Sequence, residues 1–561
     1  MGKTLEGRCG PMKKWFSCLL AAALMLSLMV PTAGAVYADV PASSSLAGEI
    51  QKATDYGLMN GYSAAKFGYY DSMTRAQFTA VLVRMMGWET AVPQEPTYTD
   101  VPADSTWYSM IETAAAHDVT GTETYFRPNA PITRGEMAEL LVRALGLKHA
   151  AECLNSSTTT GSDTYSYLHG SVPFTDLPER EEGYIAVAYA IGMTNGTSAT
   201  TFSPNATATR AQAAAMLVRV YEKMNRETDF VHSFYAISSY SQLGLAESMD
   251  AVSAGWSRMT WDGETALLAT TSANGNEFYV PGGYQEVTDT VGSLHLNVFM
   301  TGQSLKDMLA TADGRTQAMR QIVQEVSLSY NAIGRNPYSG VTIDFEGLRS
   351  AQKADFTAFL KELKTELDRL DKSLYVCVSP VLSTGSYYDG YDYAAIGQLA
   401  DKVILMAYDY DPQDMSRFVG GTYYQTAATA PIDQVYLGLK ALTNEVEPGK
   451  VVLGFSCKNA AWQIDEDGKL VSGTPVYPEN DTVVKRLAQS DTTVGWSQLY
   501  QQPYAIYTTE DGSRYFLWYQ DDASVETALR TAKLLGVSGV SIWRLGNIPQ
   551  EETWNWNSLL A

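Results

Sequence analysis

The second half of the chain alternates short runs of β-branched and aliphatic residues with amphipathic helical segments, and this alternation limits the fold more than any other feature. Continuous apolar runs are typical of strands buried on both faces, and strands separated by helices pair in parallel. Eight such runs occur, at residues 234–237, 250–256, 294–300, 340–347, 374–378, 402–406, 451–455 and 539–543. The sequence therefore predicts an α/β fold, a (β/α)8 barrel with insertions, over residues 230–558.

The fourth run, residues 340–347, carries two carboxylates. Because side chains alternate along a strand, Thr342, Asp344 and Glu346 point to one face and the apolar residues between them to the other. Burying two acids this close is costly unless they are used, and the like charge raises one pKa so that a proton donor exists near neutral pH. A structural alternative is that Asp344 caps a loop and Glu346 pairs with Arg349.

Two other strands end in polar or aromatic residues. Tyr408 and Asp409 follow the sixth run, and Trp543 ends the last. In a (β/α)8 barrel, the residues at the C-terminal ends of the strands form the active site. Three separate strands thus bring the same class of residue to one face, which favours a catalytic interpretation of the two acids over the structural one.

This set of residues resembles glycoside hydrolase family 18, the chitinase-like TIM barrel, whose fourth strand carries Asp-Gly-x-Asp-x-Asp-x-Glu. The corresponding stretch here is Ser-Gly-Val-Thr-Ile-Asp-Phe-Glu at 339–346. The last Asp and the Glu match, as Asp344 and Glu346, whereas Ser339 and Thr342 replace the first two acids. The Met-x-Tyr-Asp of the sixth strand and the Trp of the last strand are also present.

Longer motifs are similar to the branch of spore-cortex and cell-wall-lytic N-acetylglucosaminidases. They are His-Ser-Phe-Tyr at 232–235, Gly-Trp at 255–256, Trp-Tyr-Gln-Asp-Asp at 518–522 and Gly-Val-Ser-Ile-Trp-Arg-Leu-Gly at 539–546. This resemblance spans roughly residues 230–558. It implies a hydrolase that acts on glycans containing N-acetylglucosamine.

The resemblance also implies roles for the four catalytic candidates. Two carboxylates on one strand face are badly placed to flank a glycosidic bond, and in family 18 the N-acetyl oxygen of the substrate attacks instead. Glu346 would be the general acid and then the base. Asp344 would accept the acetamide N–H, Tyr408 would donate to the acetamide oxygen, and Asp409 would contact the sugar or the network around Asp344.

Three further residues are predicted substrate contacts by the same resemblance. Trp543 would form the floor of the sugar pocket, although a plain core tryptophan is the alternative, and Tyr235 and Met406 would line it. No cofactor is required. No metal site is expected either, because the five histidines form no ligand motif and the cysteines lack metal-ligand spacing.

The first half of the chain repeats one unit three times. Each copy has a Thr-Arg pair with Gln or Glu two residues after the Arg, at 74–77, 133–136 and 209–212, followed by an apolar helical pattern. Threonine at the N-cap with Gln or Glu at N3 is a capping box. Two copies also have Asp-Val-Pro or Asp-Leu-Pro and a Phe-x-Pro-Asn turn upstream. Helix–loop–helix units are predicted over 45–92, 96–150 and 173–226, with a surface loop at about 152–172.

These units resemble surface-layer homology (SLH) repeats, an all-α module whose family binds secondary cell-wall polysaccharide in grooves between repeats. The matching arginines are Arg75, Arg134 and Arg210. A guanidinium suits an anionic sugar because it can bind a carboxylate with two hydrogen bonds. The alternative is that each Arg only ties helix to loop within its repeat. The first copy is interpreted as lacking the Asp-Val-Pro opening and the Phe-x-Pro motif, and two copies carry Gln in place of Glu, so the number of working grooves stays open.

The N-terminal 38 residues are predicted to be a signal peptide. A positively charged front precedes an apolar run at 15–30, and small residues follow at 33–35 and 36–38. No other apolar stretch is long enough to span a membrane in the mature chain. The net charge of −22 argues against nucleic acid as a partner.

Together these patterns predict a multidomain protein secreted to the bacterial cell wall. Its barrel would cleave β-1,4-linked N-acetylglucosamine polymers, peptidoglycan or chitin-like, by substrate-assisted retaining catalysis. One alternative is a non-catalytic chitin- or peptidoglycan-binding protein on a degenerate barrel, but chitinase-like lectins commonly lose the Glu that is present here. A purely structural surface-layer protein is the other, and it would leave the second half unexplained.

Overall fold

The computed structural model describes residues 37–160, 172–270, 284–329, 334–382, 389–551 and 554–560. The predicted signal peptide covers residues 1–38, and only its last two residues lie within these ranges. None of the helices within them is both long and apolar enough to cross a bilayer.

In the described part of the N-terminal region there are seven helices. They are α1 Ala47–Asp55, α2 Arg75–Met85, α3 Tyr108–Ala116, α4 Arg134–Ala144, α5 Lys148–Thr160, α6 Glu182–Ala190 and α7 Arg210–Met224. All three predicted capping boxes form, at Thr74, Thr133 and Thr209: each threonine accepts from the N3 backbone N–H, and the N3 side chain accepts from the N-cap N–H. The predicted helix–loop–helix units are therefore present.

The three repeats close into a ring. The second helix of each repeat packs against the first helix of the next, so that α2 contacts α3, α4 contacts α6 and α7 contacts α1. Backbone hydrogen bonds join the starts of the second helices to neighbouring repeats: Arg75 N to Ala130 O (3.0 Å), Arg134 N to Ala206 O (2.9 Å) and Arg210 N to Asp71 O (2.9 Å). Each repeat thus completes the core of its neighbour.

The first repeat begins earlier than the predicted residue 45. In the second repeat, Asp100 accepts hydrogen bonds from two successive backbone N–H groups that begin at Phe126. Asp39 does the same with the N–H groups of Phe67 and Gly68, at 2.7 Å each. Asp39 opens an Asp-Val-Pro motif at 39–41, so the first copy does have this motif. The predicted bounds, a leader that ends at residue 38 and a repeat that begins at 45, left this motif out of both.

The insert predicted as a loop at 152–172 is helical as far as Thr160, where α5 ends. Ala150, Ala151 and Leu154 are buried along one side of α5, which packs against α6. That apolar side explains why the helix persists into a polar sequence. Residues 161–171 lie outside the described ranges.

The barrel is closed and parallel. Its eight strands are β1 Phe230–Tyr235, β2 Ala251–Trp261, β4 Leu294–Met300, β5 Gly340–Phe345, β6 Ser373–Val378, β7 Lys402–Leu405, β8 Val451–Ser456 and β13 Gly539–Trp543. Each pairs with the next in parallel, and β1 pairs with both β2 and β13, which closes the ring. A short strand, β3 Ala266–Ala269, pairs antiparallel with β2. All eight predicted strands exist, and the predicted fold class is confirmed.

Helices surround the barrel and supply the outer layer of the core. They are α8 Tyr284–Thr290, α9 Gly302–Ala310, α10 Ala312–Glu325, α11 Lys353–Arg369, α12 Tyr393–Leu399, α13 Ile432–Thr443, α14 Asn480–Leu487, α15 Asp522–Leu534 and α16 Asn557–Leu560. On β5, Ile343 and Phe345 face this layer, and the ring of Phe345 stacks on that of Phe359 with centroids 5.3 Å apart. The intervening Thr342 and Asp344 therefore face the barrel interior.

An antiparallel sheet is inserted between β8 and β13. Its strands are β9 Ala460–Ile464, β10 Thr493–Ser497, β11 Gln502–Thr508 and β12 Arg514–Trp518, in the order β10-β11-β12-β9. Trp462 and Trp518 are buried in a core of its own. A small hairpin follows β13, formed by β14 Gln550–Glu551 and β15 Trp554–Asn555.

The repeat region and the barrel share a seam. Helix α5 packs against α13 of the barrel, and α7 packs against α15. The Lys223 ammonium at the end of α7 donates to the carbonyl oxygens of Ile191 (2.8 Å) and of Leu534 on α15 (3.3 Å). The two regions are therefore joined by side-chain contacts as well as by the chain itself.

Candidate active site

The two acids of β5 occupy different depths at the C-terminal end of the barrel. Asp344 is 2% exposed and points into the interior, whereas Glu346 lies just past the strand end and is half-buried. The backbone N–H of Glu346 still bonds to Met300 O (3.0 Å) on the neighbouring strand, and Gly347 turns the chain away with φ of +72°. Glu346 is thus held at the mouth, above its acidic neighbour.

Asp344 is an acid in an environment that disfavours its charge. Burial raises its pKa well above the ordinary value, and the charge of Glu346 adds to this. The Cys377 thiol donates a hydrogen bond to it. Oδ1 of Asp344 is buried and has no hydrogen-bond partner among the described residues. A ligand N–H at this oxygen would therefore remove a large part of the cost of burial.

Glu346 is suited to proton transfer. Its pKa is raised first by burial and second by the charge of Asp409. A carboxyl group with a raised pKa keeps its proton closer to neutral pH, which is the requirement for a general acid. Because Asp344 and Glu346 repel each other, they titrate as a pair rather than independently.

Tyr408 stands beside both acids. Burial, followed by the charges of Asp344 and its neighbours, raises the pKa of the Tyr408 phenol well above its ordinary value, so the hydroxyl stays protonated and can donate. Room for its ring is provided by Gly454 on β8: a Cβ at that position would lie 2.8 Å from Tyr408 Cε1. The absence of a side chain at Gly454 therefore fixes where Tyr408 sits.

Asp409 lies on the side of the site that faces Lys458. Its carboxylate is 3.8 Å from the Lys458 ammonium and also bonds to Ser456. Burial raises the pKa of Asp409, and Lys458 opposes that change. The same ammonium is 3.1 Å from the fully buried carboxylate of Asp411. Lys458 thereby balances two acids next to the catalytic pair.

The predicted aromatic and apolar contacts separate into two groups. Trp543 and Met406 pack against the cluster of apolar side chains inside the barrel, and the ring of Trp543 lies edge-to-face on Phe234 with centroids 4.9 Å apart. Tyr235 is 3% exposed and packs in the outer core instead. The structure does not bring Tyr235 to the site, because the alternation along β1 turns Phe234 inward.

A cavity of about 620 Å³ opens beside these residues. Asp409 and Trp543 line one end, and Lys458, Tyr477 and Arg544 line its sides. Most of the lining is polar, and the Lys458 ammonium lies over the ring of Tyr477, 4.3 Å from its centroid. This is the composition expected of a carbohydrate groove, in which rings stack on sugar faces and polar groups bind hydroxyls.

Beneath Asp344, a chain of neutral polar groups fills the barrel. His232 Nε2 is 2.8 Å from Ser253 Oγ, which is 2.6 Å from Thr342 Oγ1. Thr342 Oγ1 is in turn 3.4 Å from His295 Nδ1. Burial lowers the pKa of both histidines, to about 3 for His295, so they are neutral. The Thr342 hydroxyl, which stands where the family motif has an acid, thus has hydrogen-bonding neighbours that are all uncharged.

The predicted wall-binding arginines tie neighbouring repeats together. The Nε–H of Arg75 donates to Phe126 O of the second repeat (2.9 Å), that of Arg134 to Phe202 O of the third (2.9 Å), and that of Arg210 to Phe67 O of the first (3.0 Å). The sequence alternative of a tie within one repeat is therefore wrong: the tie runs between repeats. Arg134 and Arg210 are 6% and 5% exposed.

Two contributors were not predicted. Lys458 follows the end of β8 by two residues, so the strand-end rule that found Tyr408 could have found it. Cys377 was not singled out, because it lies within an apolar run, but the alternation along β6 points it at Asp344. Among the described residues, one group has metal-ligand spacing, His149, Cys153 and Asp433, and it lies outside the barrel mouth.

Comparisons with known proteins agree with this architecture. The family described as "Glycosyl hydrolases family 18" matches residues 231–547, and the "S-layer homology domain" matches residues 36–79, 97–138 and 173–214. The first of these S-layer segments includes Asp39, in accordance with the early start of the repeat.

Relatives with similar sequences include enzymes from two Bacillus species. The chain is 25% identical over 241 residues to the cortical fragment-lytic enzyme of Bacillus subtilis (strain 168), which covers 42% of this chain and 52% of that protein. It is 24% identical over 219 residues to the enzyme of the same name from Bacillus anthracis, covering 38% and 47%. The matches span about half the length of these relatives.

Two solved structures are examples of the similarity found among known folds. The Bacillus cereus spore cortex-lytic enzyme SleL superposes with a TM-score of 0.47 at 17% identity, over 60% of this chain and 74% of that chain. A chitinase from Chromobacterium violaceum ATCC 12472 gives a TM-score of 0.46 at 19% identity, over 59% and 97%. The barrel and the match over residues 231–547 show that this chain belongs to glycosyl hydrolases family 18 and carries S-layer homology repeats at its N-terminal side.

Proposed function

We propose that this protein is a secreted, cell-wall-anchored glycosidase that cleaves β-1,4-linked N-acetylglucosamine polymers with retention of configuration. The observation that carries the proposal is the arrangement of Asp344 and Glu346 at the barrel mouth, one deep and one at the surface, with raised pKa values and with Tyr408 beside both. The names of the relatives favour peptidoglycan as the first substrate to test. Chitin-like polymers are the second.

In the first step, the protonated Glu346 gives its proton to the glycosidic oxygen. The acetamide oxygen of the substrate attacks the anomeric carbon as the bond to the leaving sugar breaks, and a cyclic oxazolinium ion forms. No second carboxylate is required on the opposite face of the sugar. This suits a site in which both acids come from one strand.

Asp344 would act on the acetamide. Its unpartnered Oδ1 accepts the acetamide N–H, and its negative charge stabilises the positive charge that develops on that group. In the free enzyme the deeper Asp344 favours the protonated form. The new N–H bond favours the ionised form instead, so substrate binding shifts the shared proton toward Glu346, where it is needed.

The Tyr408 hydroxyl would donate a hydrogen bond to the acetamide oxygen and hold that oxygen below the anomeric carbon. In the second step, the Glu346 carboxylate takes a proton from water as the hydroxide part attacks the anomeric carbon. The oxazolinium opens, the acetamide is restored, and Glu346 carries a proton again. Two inversions at one carbon give net retention.

Anchoring would use the grooves beside Arg134 and Arg210 more than the one beside Arg75. The Arg75 guanidinium is already paired with Glu136 at 2.7 Å. The positions equivalent to Glu136 are Gln212 and Gln77, which carry no charge. In the described part of the chain, the carboxylates that act on these two arginines do so only at longer range, Asp176 on Arg134 and Asp71 and Asp39 on Arg210. An anionic wall polysaccharide would meet less competition in those two grooves.

The function is tested by incubating the purified protein with peptidoglycan and with N-acetylglucosamine oligomers. Mass spectrometry should detect new reducing ends at N-acetylglucosamine, and NMR should detect the β anomer first. A thiazoline analogue of the oxazolinium ion should inhibit competitively. Binding to these glycans without any product would overturn the proposal in favour of a non-catalytic binding protein, and α anomer formed first would overturn the mechanism.

A further inference from the structure

A cluster of three potential metal ligands lies at the seam between the repeat region and the barrel. His149 and Cys153 are one turn apart on α5, and Asp433 is in the first turn of α13. One ligand atom from each lies within 4.8 Å of the other two. His149 Nδ1 is 3.7 Å from Cys153 Sγ, and His149 Nε2 is 3.8 Å from Asp433 Oδ2. We propose that this cluster is a Zn²⁺ site that clamps the S-layer homology region onto the catalytic barrel.

The distances suit a tetrahedral ion. Zinc binds thiolate sulfur at about 2.3 Å and imidazole nitrogen or carboxylate oxygen at about 2.0–2.2 Å, so its ligand atoms lie about 3.3–3.7 Å apart. The closer contacts in the cluster already approach this spacing. The two contacts use different nitrogens of the His149 ring, but one ligand atom from each residue can be chosen so that all three lie within 4.8 Å, and the His149 side chain is 25% exposed, which leaves it room to adjust.

A second observation points to a cation. The side chain of Asp433 is only 5% exposed, yet its Oδ1 has no hydrogen-bond partner among the described residues. Its Oδ2 accepts from the Gln434 amide at 2.8 Å, so the carboxylate is oriented as well as buried. Burying a carboxylate oxygen without a donor or a cation is costly. Zinc bound on the His149 side would neutralise it.

The ligand chemistry selects the metal class. Sulfur and nitrogen ligands disfavour Mg²⁺ and Ca²⁺, which take oxygen, and favour zinc. When the ion binds, the Cys153 thiol loses its proton to solvent and the Cys153 Sγ–zinc bond forms. A thiolate, a carboxylate, a neutral imidazole and a water then give a site of zero net charge, which suits a partly buried seam. The ring of Tyr500 stands edge-to-face on His149, 5.8 Å between centroids, and covers one side.

The clamp has a mechanical consequence. His149 and Cys153 come from the helix that follows the second repeat, whereas Asp433 comes from the barrel. An ion held by all three fixes the orientation of the catalytic mouth relative to the wall-binding grooves. Without it, the packing of α5 on α13 and of α7 on α15 alone maintains the docking.

The test uses the full-length protein, stripped with a chelator and titrated with Zn²⁺ and with Co²⁺. We expect about one ion per chain, with the near-ultraviolet thiolate band and the intense visible bands of tetrahedral cobalt. Cys153→Ser should abolish the thiolate band and weaken zinc binding at least tenfold, and Asp433→Asn should weaken it similarly. Cys457→Ser, which changes a cysteine outside the cluster, should bind as the wild type does.

A structural readout accompanies the binding assay. Zinc should raise the unfolding temperature of the wild type and slow proteolytic separation of the repeat region from the barrel, and neither effect should occur in Asp433→Asn. Failure of the wild type to bind zinc would overturn the proposal. So would zinc binding that is equally tight in the Cys153→Ser and Asp433→Asn variants, because that would be non-specific binding to surface acids.

Discussion

Gly454 determines where Tyr408 stands, and adding a single methyl group tests that relation. In Gly454→Ala, the new Cβ would lie 2.7 Å from the backbone oxygen of Leu405 and 2.8 Å from Tyr408 Cε1. The backbone oxygen belongs to β7 and is held by the barrel. Relief of the contact with that oxygen requires a small shift of β8 against β7, and the Tyr408 ring must also move, by about 0.6 Å if it is to reach an ordinary contact of 3.4 Å.

Both stability and catalysis should respond. Overpacking of this kind destabilises by about 1–3 kcal/mol. Misplacement of a catalytic group by about 1 Å costs about 100-fold in rate, so a shift of just over half that size should lower kcat by about tenfold or more. Tyr408→Phe removes the hydroxyl donor itself and should lower kcat by about 100- to 1,000-fold with little loss of stability.

The matched control is Gly539→Ala at the start of β13. There the new Cβ would meet Val452 Cγ2 at 3.2 Å and Val451 O at 3.3 Å, at the end of the barrel opposite to the mouth. We expect a smaller loss of stability and nearly unchanged kcat. Steady-state kinetics measures kcat and chemical denaturation measures the stability of the three variants. Wild-type kcat in a folded Gly454→Ala protein would refute the role given to Tyr408.

Three other predictions concern charge. The folded state holds a proton on Asp344 that the unfolded chain releases above about pH 3.9, so the free energy of unfolding should fall as the pH rises from about 4 toward neutral. Asp344→Asn should reduce that slope by up to about 1.4 kcal/mol per pH unit. Identical slopes for the wild type and this variant in denaturation series from pH 4.5 to 7 would contradict the prediction. In the pH profile of kcat/KM, Asp409→Asn should move the basic limb to lower pH by about half a pH unit to one pH unit, since the charge of Asp409 helps raise the pKa of Glu346. A basic limb at the wild-type pH would show that Asp409 does not have this role. Glu136→Gln should release Arg75 from its 2.7 Å ion pair and strengthen binding to purified anionic wall polysaccharide severalfold at low salt. The loss of the ion pair should lower the stability by about 1 kcal/mol or less. Weaker or equal binding would mean that the Arg75 groove does not take part.

Local patterns in the sequence were enough to predict the barrel and the two acids. The eight strands are buried on both faces and read as continuous apolar runs, and the alternation on β5 separates Asp344 from Phe345 without any tertiary information. The capping boxes at Thr74, Thr133 and Thr209 were equally local. Each depends on two side chains three residues apart.

The errors arose where the position of a residue depends on element boundaries or on tertiary packing. Tyr235 was placed in the pocket by the family resemblance alone; the inward positions of β1 are those of His232 and Phe234, so Tyr235 faces the outer core. Asp39 was assigned to neither the leader nor the first repeat, because the leader and the first repeat adjoin without a break in composition. The approach of His149 and Cys153 to Asp433 depends on how the repeat region docks on the barrel, which no local pattern encodes.

The most direct measurement is the comparison of Glu346→Gln with Glu447→Gln, a change of the same kind at an exposed position near the opposite end of the barrel. Turnover of peptidoglycan fragments and of N-acetylglucosamine oligomers should fall at least about 1,000-fold in Glu346→Gln. Calorimetry should find its affinity for the same oligomers within a few-fold of the wild type. Glu447→Gln should behave as the wild type in both assays. If Glu346→Gln cleaves at the wild-type rate, Glu346 is not the proton donor and the proposed mechanism is wrong.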